Sequence, residues 1–200
     1  MGLVRRLRRL RTRRGARVIS VRADVRQGDV AIIEASADSP TSVDRARGFR
    51  AAAAAHPGIR IAGSCYGAYQ FEAARVSMAQ LLERTPRVDA VLAANDVMAL
   101  GAVEALRAAG RDALVAGVNA IPAAVAAIKN GTMLATADFN AMNLAVLALE
   151  CAVRRARGET VPREILLPAA IVDRGNVAAW DLPYEQRHCI GWAEATAAMR

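Results

Sequence analysis

The stretch VDAVLAANDVMALGA, residues 88–102, joins a short apolar run to a helical pattern through a pair of polar residues. Residues 88–93 are mostly apolar, which is typical of a buried strand. Asp96 can cap a helix that runs over 97–109 and ends at Gly110. The stretch therefore predicts one strand followed by one helix, with polar side chains at their junction.

The same alternation of strand and helix repeats along the chain. Further strands are predicted at 29–34, 59–62, 114–118, 134–137, 165–167 and 170–172, and further helices at 42–55, 71–83, 122–130 and 141–157, the first of them capped by Ser42. Short connections between alternating strands and helices predict an α/β fold with a mainly parallel, doubly wound sheet and helices on both faces. Ligands of such sheets bind at the carboxyl ends of the strands, so the residues that follow each strand are the candidates for a site.

The positive charge of the chain is confined to its beginning. Residues 1–26 hold ten arginines and one acid, Asp24, a net charge of +9, which leaves 17 basic and 18 acidic residues and a net charge of −1 in the rest. The body therefore has no basic excess for binding nucleic acid, and we expect no nucleic-acid partner. The arm itself, 1–27, is open to three interpretations: a tail for nucleic acid or an anionic membrane, a degraded or misread start, or a disordered solvated segment, which is the one we expect.

The sequence offers no pattern for catalysis or for binding a metal or cofactor. The three cysteines, Cys65, Cys151 and Cys189, are widely spaced and form neither a zinc pattern nor a disulfide framework. Both histidines, His56 and His188, lie outside the strand-end loops, and no nucleophile elbow, phosphate loop or dinucleotide fingerprint occurs. We therefore expect a protein that is not an enzyme, with no catalytic residue, no metal ligand and no cofactor.

The strand-end loops carry short polar side chains, one arginine and one aromatic ring. These residues are Arg45, Tyr69, Asn95, Asp96, Asn119, Asp138 and Asn140. Amide and carboxylate groups match the hydroxyls of a sugar, which both donate and accept hydrogen bonds, and an aromatic ring packs on its C–H faces. Each residue taken singly also has a structural interpretation as a helix cap, a turn or a solvated side chain. Their shared position at the strand ends favours a sugar or polyol site.

Four segments resemble the ribose-type periplasmic binding proteins and the related effector domains of transcription repressors. They are AANDVMALGA at 93–102, RARGF at 45–49, VAGVN at 115–119 followed by Pro122, and IKNG at 128–131 followed by Ala135-Thr136. Their order and spacing hold from about Gly28 to Asn176. The resemblance implies a lobe that grips a sugar between itself and a second, similar lobe.

The resemblance also implies roles for individual residues. Arg45 would donate to hydroxyls, Tyr69 would stack on the sugar ring, and Asn95 would hydrogen-bond a hydroxyl pair. Asn119 departs from the aspartate that is usual in the family, and Phe139 stands where a glutamine is common, with Asp138 and Asn140 beside it. The predicted ligand-binding residues are Arg45, Tyr69, Asn95, Asn119, Asp138 and Phe139. The two departures leave the identity of the sugar open.

By the same resemblance, 28–139 and 168–175 form the sugar-binding lobe, 140–167 returns into an incomplete first lobe, and 176–200 is a tail. We expect an amino-terminally truncated substrate-binding component of an ABC-type importer, whose partners are a sugar or polyol and a membrane permease. The alternative is the effector-sensing domain of a sugar-responsive transcription repressor.

The family is periplasmic. Residues 18–22 are too short for the apolar part of a secretory signal, so the chain as given is expected in the cytoplasm. Within the predicted helix at 141–157, residues 141–153 are apolar on nearly every side, and this predicts an exposed apolar patch and self-association through the helix.

Overall fold

The computed structural model describes residues 27–167 and 169–197, together with the backbone of two short strands that pair antiparallel, β1 (Arg5–Arg6) and β2 (Arg22–Ala23). The rest of the arm at 1–27, which was expected to be disordered, lies outside the described residues. Its last residue, Gln27, begins the central sheet.

The central sheet has six strands. They are β3 (Gln27–Glu34), β4 (Gly58–Tyr66), β5 (Ala90–Ala93), β6 (Leu114–Val118), β7 (Ala135–Asp138) and β8 (Ala170–Asp173), in the spatial order β4-β3-β5-β6-β7-β8. All neighbouring pairs are parallel except β7 and β8, which are antiparallel. The prediction of a mainly parallel α/β sheet is therefore confirmed.

In the described residues, six α-helices accompany the sheet. They are α1 (Pro40–Ala54), α2 (Phe71–Arg84), α3 (Asp96–Ala108), α4 (Pro122–Asn130), α5 (Ala141–Ala156) and α6 (Trp192–Ala197). Two 3-10 turns, Val177–Trp180 and Tyr184–Gln186, lie between β8 and α6. No helix in the described part of the chain is long and apolar enough to span a membrane.

Alternation along β3 separates the two faces of the sheet. Ala31 and Ile33 belong to the main buried cluster, which they share with apolar residues of α2, α3 and α4. Val30 and Ile32 point the other way and are also buried, on the face where α1 packs against β3 and β4. The core is thus built on both faces, and the loops that connect strands to helices lie at one edge of the sheet.

Two predictions about the strands were wrong. No strand forms at 165–167, because the only open edge of β7 pairs with β8, and Leu166 is left 76% exposed. Strand β4 runs on to Tyr66 rather than stopping at 62, since it pairs with β3 along that strand's whole length.

The cap of α1 is Ser39, whose side chain accepts from the backbone N–H of Ser42, rather than Ser42 itself. Ser42 is buried, and its Oγ instead accepts from the N–H groups of Ala35 and Ser36 at 2.9 and 3.1 Å, so it holds the end of β3 against α1.

Helix α5 exposes much of its apolar surface. Its exposed large apolar residues are Met142, Leu144, Val146, Leu149 and Val153, and Leu149 is 66% exposed. Leu147 and Asn143 are the buried residues of this helix. The expected apolar exposure is present, whereas Leu147 is covered by the chain's own residues.

Candidate functional site

The loops after the strands carry all of the left-handed backbone found at non-glycine residues in 27–167 and 169–197. These residues are Ala68, Tyr69, Asn119, Ala120 and Asn140, with φ between 50° and 125°. Such conformations are unfavourable for residues with a Cβ and persist only where the surroundings enforce them, which often happens at binding sites. The strained positions follow β4, β6 and β7, so they mark the strand-end edge on which the site was predicted.

Arg45 links loops that are distant in sequence. Its Nη1 donates to the carbonyl of Ala94 at 2.6 Å, and its guanidinium lies 5.4 Å from the centre of the Phe139 ring. Partial burial lowers the pKa of Arg45, an effect opposed by the nearby Tyr69 and Asp96. A guanidinium does not lose its proton in proteins, so Arg45, on α1, is a cation that contacts the loops after β5 and β7.

Tyr69 and Asn95 have local partners. The Tyr69 hydroxyl hydrogen-bonds with the Ser39 hydroxyl at 2.8 Å, which ties the loop after β4 to the start of α1. Asn95 is buried, and its Oδ1 accepts from the backbone N–H of Met98 at 2.8 Å. Asn95 is thus the cap of α3, the role the sequence assigned to Asp96.

Asp96 is fully buried and connects three strand ends. Its carboxylate accepts from the Thr136 hydroxyl at 2.6 Å and from the backbone N–H of Ile121 at 3.0 Å. Burial raises the pKa of this carboxyl, because the charged form loses its hydration. Gly117 allows the close approach, since a Cβ at that position would stand 2.2 Å from Asp96 Oδ1.

A cleft of about 620 Å³ opens at the ends of β6 and β7. Three of the six predicted ligand-binding residues line it, Asn119, Asp138 and Phe139, and Asn140 lines it beside them. The Oδ1 of Asn119 is buried there without a hydrogen-bond partner, an unused acceptor. Arg45 reaches this group through its contact with Phe139. Arg45 itself, Tyr69 and Asn95 do not line the cleft.

Both oxygens of Asp138 are engaged. Oδ1 accepts from the backbone N–H of Asn140 at 2.7 Å, and Oδ2 accepts from the indole N–H of Trp180 at 2.7 Å. Asp138 is 9% exposed, so these two bonds stabilise a carboxylate that is nearly removed from water. The two hydrogen bonds therefore hold the Asp138 side chain in one orientation at the edge of the cleft.

The sequence reasoning missed the residues that come from the end of the chain. Ala179, Trp180, Arg187 and His188 line the cleft, although they lie beyond Asn176, where the family resemblance ends. No local sequence pattern predicts these contacts, because they depend on the path by which the chain returns to the cleft after β8. Within the described residues, no cluster of His, Cys, Asp and Glu side chains could hold a metal ion.

Comparison with known proteins agrees with this geometry. The periplasmic binding protein domain family matches residues 12–160. The D-ribose/D-allose-binding protein of Pseudomonas aeruginosa is 36% identical over 157 residues, which cover 76% of this chain and 49% of the relative. The chain therefore spans about half the length of this curated relative.

Solved structures give the same result. A periplasmic solute-binding protein of an ABC transporter from Actinobacillus succinogenes, with bound D-allose, superposes with a TM-score of 0.75 at 29% identity and covers 77% of this chain and 56% of the neighbour. A solute-binding protein from Bacillus halodurans, with bound myo-inositol, gives 0.74 at 30% identity and covers 78% and 55%. By its sequence and its fold, this chain belongs to the periplasmic binding protein domain family.

Proposed function

We propose that this chain binds a sugar or polyol, as the substrate-binding component of an ABC-type importer. The observation that carries the proposal is the cleft at the ends of β6 and β7, where Asn119 offers a buried, unused acceptor beside the Phe139 ring. The cleft volume of about 620 Å³ lies within the range of small-molecule sites.

The groups around the cleft suit a polyhydroxylated ligand. A hydroxyl can donate to Asn119 Oδ1 and accept from the guanidinium of Arg45, whose planar fork carries five donors. The ring of Phe139 offers an apolar face for C–H groups, although Arg45 already covers part of it. Because Asn119 is uncharged and Asp138 is already engaged, the cleft favours a neutral ligand over a cationic one.

The names of the relatives agree with this class of ligand. They include a D-ribose/D-allose-binding protein, a xylitol-binding protein from Mycolicibacterium smegmatis and the myo-inositol-bound protein from Bacillus halodurans. We therefore propose a pentose, a hexose or a cyclic or linear polyol as the ligand.

Binding in this proposal involves no chemistry on the ligand. The Cys65 thiol is buried and its pKa is raised by that burial, which is the opposite of what an activated nucleophile needs. Arg45 carries a guanidinium, which is not deprotonated in proteins and cannot serve as a base. The cleft is suited to holding a ligand by hydrogen bonds and ring contacts.

We further propose that 28–139 and 168–175 form the sugar-binding lobe and that 140–167 returns into the incomplete first lobe. The position of β8 beside β7 in the same sheet supports the first assignment, and the exposed apolar side chains of α5 support the second. A membrane permease as the partner and the periplasm as the location follow from the same proposal.

A titration with a panel of ligands tests the proposal. We expect one of D-ribose, D-allose, xylitol and myo-inositol to bind saturably, with a Kd of about 1 mM or weaker, near −4 kcal/mol, because one lobe cannot enclose its ligand. Chemical-shift changes of backbone amides measure such weak binding directly. No saturable shift with any of the four ligands would contradict the proposal.

Arg45→Ala should weaken this binding by about tenfold or more, since a hydrogen bond from a charged donor contributes roughly 1.5–3 kcal/mol. The matched control is Arg47→Ala, an arginine on the same helix whose side chain is 77% exposed and pairs with Asp44. Wild-type affinity in Arg45→Ala, with both variants folded by thermal melting, would remove Arg45 from the site.

A further inference from the structure

The chain does not leave the domain after β8. The 3-10 turn Val177–Trp180 follows directly, and Val177 is buried in the main core cluster with Trp180 packed against it. From there residues 181–197 cross the strand-end edge of the sheet. We call 176–197 the C-terminal segment. Its beginning is anchored in the core and not suspended in solvent.

Side-chain contacts fix the C-terminal segment on both sides of the cleft. Trp180 donates its indole N–H to Asp138 Oδ2 at 2.7 Å, at the end of β7. Arg187 donates from Nη1 to the carbonyl of Ala120 at 2.8 Å, in the loop after β6.

Two more contacts hold the C-terminal segment beyond the cleft. The backbone N–H of Ile190 donates to Asn143 Oδ1 on α5 at 3.0 Å. Lys129, at the end of α4, forms an ion pair with Asp181. The segment is therefore attached to the loop after β6, the end of β7 and two helices, and the cleft lies among these attachments.

These attachments make the C-terminal segment one side of the cleft. Asn119, Asp138 and Phe139 come from the strand ends, while Trp180 and Arg187 come from the segment. Asn119 Oδ1 is the buried acceptor without a hydrogen-bond partner. Its residue lines the space that the segment helps to enclose. A buried acceptor without a partner is costly, so a hydroxyl of a ligand would be favoured there.

We propose that the C-terminal segment is a wall of the ligand site and that Trp180 and Arg187 position it. This inference rests on the proposed function, and it deepens it by naming where the ligand sits: between the strand ends and the segment. Trp180 lines the cleft next to Asp138, and its apolar ring suits the C–H face of a sugar or polyol. Arg187 holds the segment on the loop that carries Asn119.

The opposite role would be a strap that blocks the site. A strap has to leave before the ligand enters, so loosening it would raise the affinity for the ligand. A wall has to stay in place, so loosening it would lower the affinity. The two roles thus predict changes of opposite sign, and the same variants distinguish them.

The test uses the full chain with Trp180→Phe, which removes the indole N–H but keeps a ring, and Arg187→Gln, which removes the donor to Ala120. We expect each variant to weaken binding of the best ligand among D-ribose, D-allose, xylitol and myo-inositol by about threefold to tenfold. The matched control is Arg174→Gln, because Arg174 also donates to a backbone carbonyl, that of Lys129 at 3.2 Å, and does not line the cleft.

A second measurement reports on the cleft itself. The chain has two tryptophans, so in the Trp192→Phe background Trp180 is the only one, and its emission should shift as the ligand saturates. If both Trp180→Phe and Arg187→Gln bind the ligand with unchanged or higher affinity, and both are folded by thermal melting, the proposal that the C-terminal segment is a wall of the site is refuted. A wild-type chain that binds none of the four ligands would overturn the proposed function and the wall together.

Discussion

Replacing Asp96 with alanine is the substitution that should disturb the strand-end edge most. Its buried carboxylate accepts from the Thr136 hydroxyl and from the backbone N–H of Ile121, so it joins the start of α3 to β7 and to the loop after β6. Alanine leaves both donors without an acceptor. Thr136 is 1% exposed, which keeps water from replacing the lost oxygen.

The expected magnitude follows from those two donors. Each buried polar group that loses its partner costs about 1–3 kcal/mol, so Asp96→Ala should lower the free energy of unfolding by about 2–6 kcal/mol. A domain is stable by only about 5–15 kcal/mol in total, so this is a large fraction. With a urea dependence of roughly 2 kcal/mol per molar, the midpoint of unfolding should fall by about 1–3 M.

Urea denaturation followed by circular dichroism measures this change. The control is Asp44→Ala, which removes an exposed carboxylate paired with Arg47 three residues along the same helix and should change stability by less than about 0.5 kcal/mol. A midpoint for Asp96→Ala within about 0.3 M of the wild type, with the same urea dependence, would refute the reasoning. It would mean that the loops hold together without the carboxylate.

Two further predictions concern pH and self-association. Burial raises the pKa of Asp96. The part of the stability that comes from this shift is fully present below the ordinary aspartate pKa of about 3.9 and is lost as the pH rises through the raised native value, while the hydrogen bonds that Asp96 accepts remain. Asp96→Asn cannot titrate, so its free energy of unfolding in urea melts should rise relative to that of the wild type as the pH rises, and a difference that does not change with pH would contradict the raised pKa. We also expect the chain to self-associate through α5 in sedimentation experiments at several concentrations, and we expect Leu149→Glu to reduce this association. The control is Leu166→Glu, at a position 76% exposed outside the helix, which should sediment as the wild type does. A wild-type chain that is a monomer at every concentration would refute the prediction.

The local sequence pattern was sufficient to predict elements whose first and last residues favour the start and end of a helix or strand. The strand predicted at 114–118 and the helix predicted at 122–130 coincide with β6 and α4. Pro122 starts α4 at a position where the missing N–H costs nothing, and Gly131 ends it in the left-handed conformation, with φ of 86°. These are interactions between near neighbours in the chain, so the sequence contains them in readable form.

The candidate site was readable only in part. The strand-end rule pointed to Asn119 and Asp138 as possible partners of a ligand, the family resemblance added Phe139, and these three line one cleft. The rule could not decide that Asn95 caps α3, because the same side-chain amide can serve either as a helix cap or as a ligand contact.

What the sequence by itself determined was the order of strands and helices, and with it the edge on which polar residues gather. Only the tertiary structure decided that β8 pairs with β7, which leaves 165–167 without a partner strand, and that Trp180 reaches Asp138 across 42 residues of chain. Such contacts depend on which surfaces remain open once the sheet has formed. They are set by packing between distant segments, and no periodicity within a window of neighbouring residues records them.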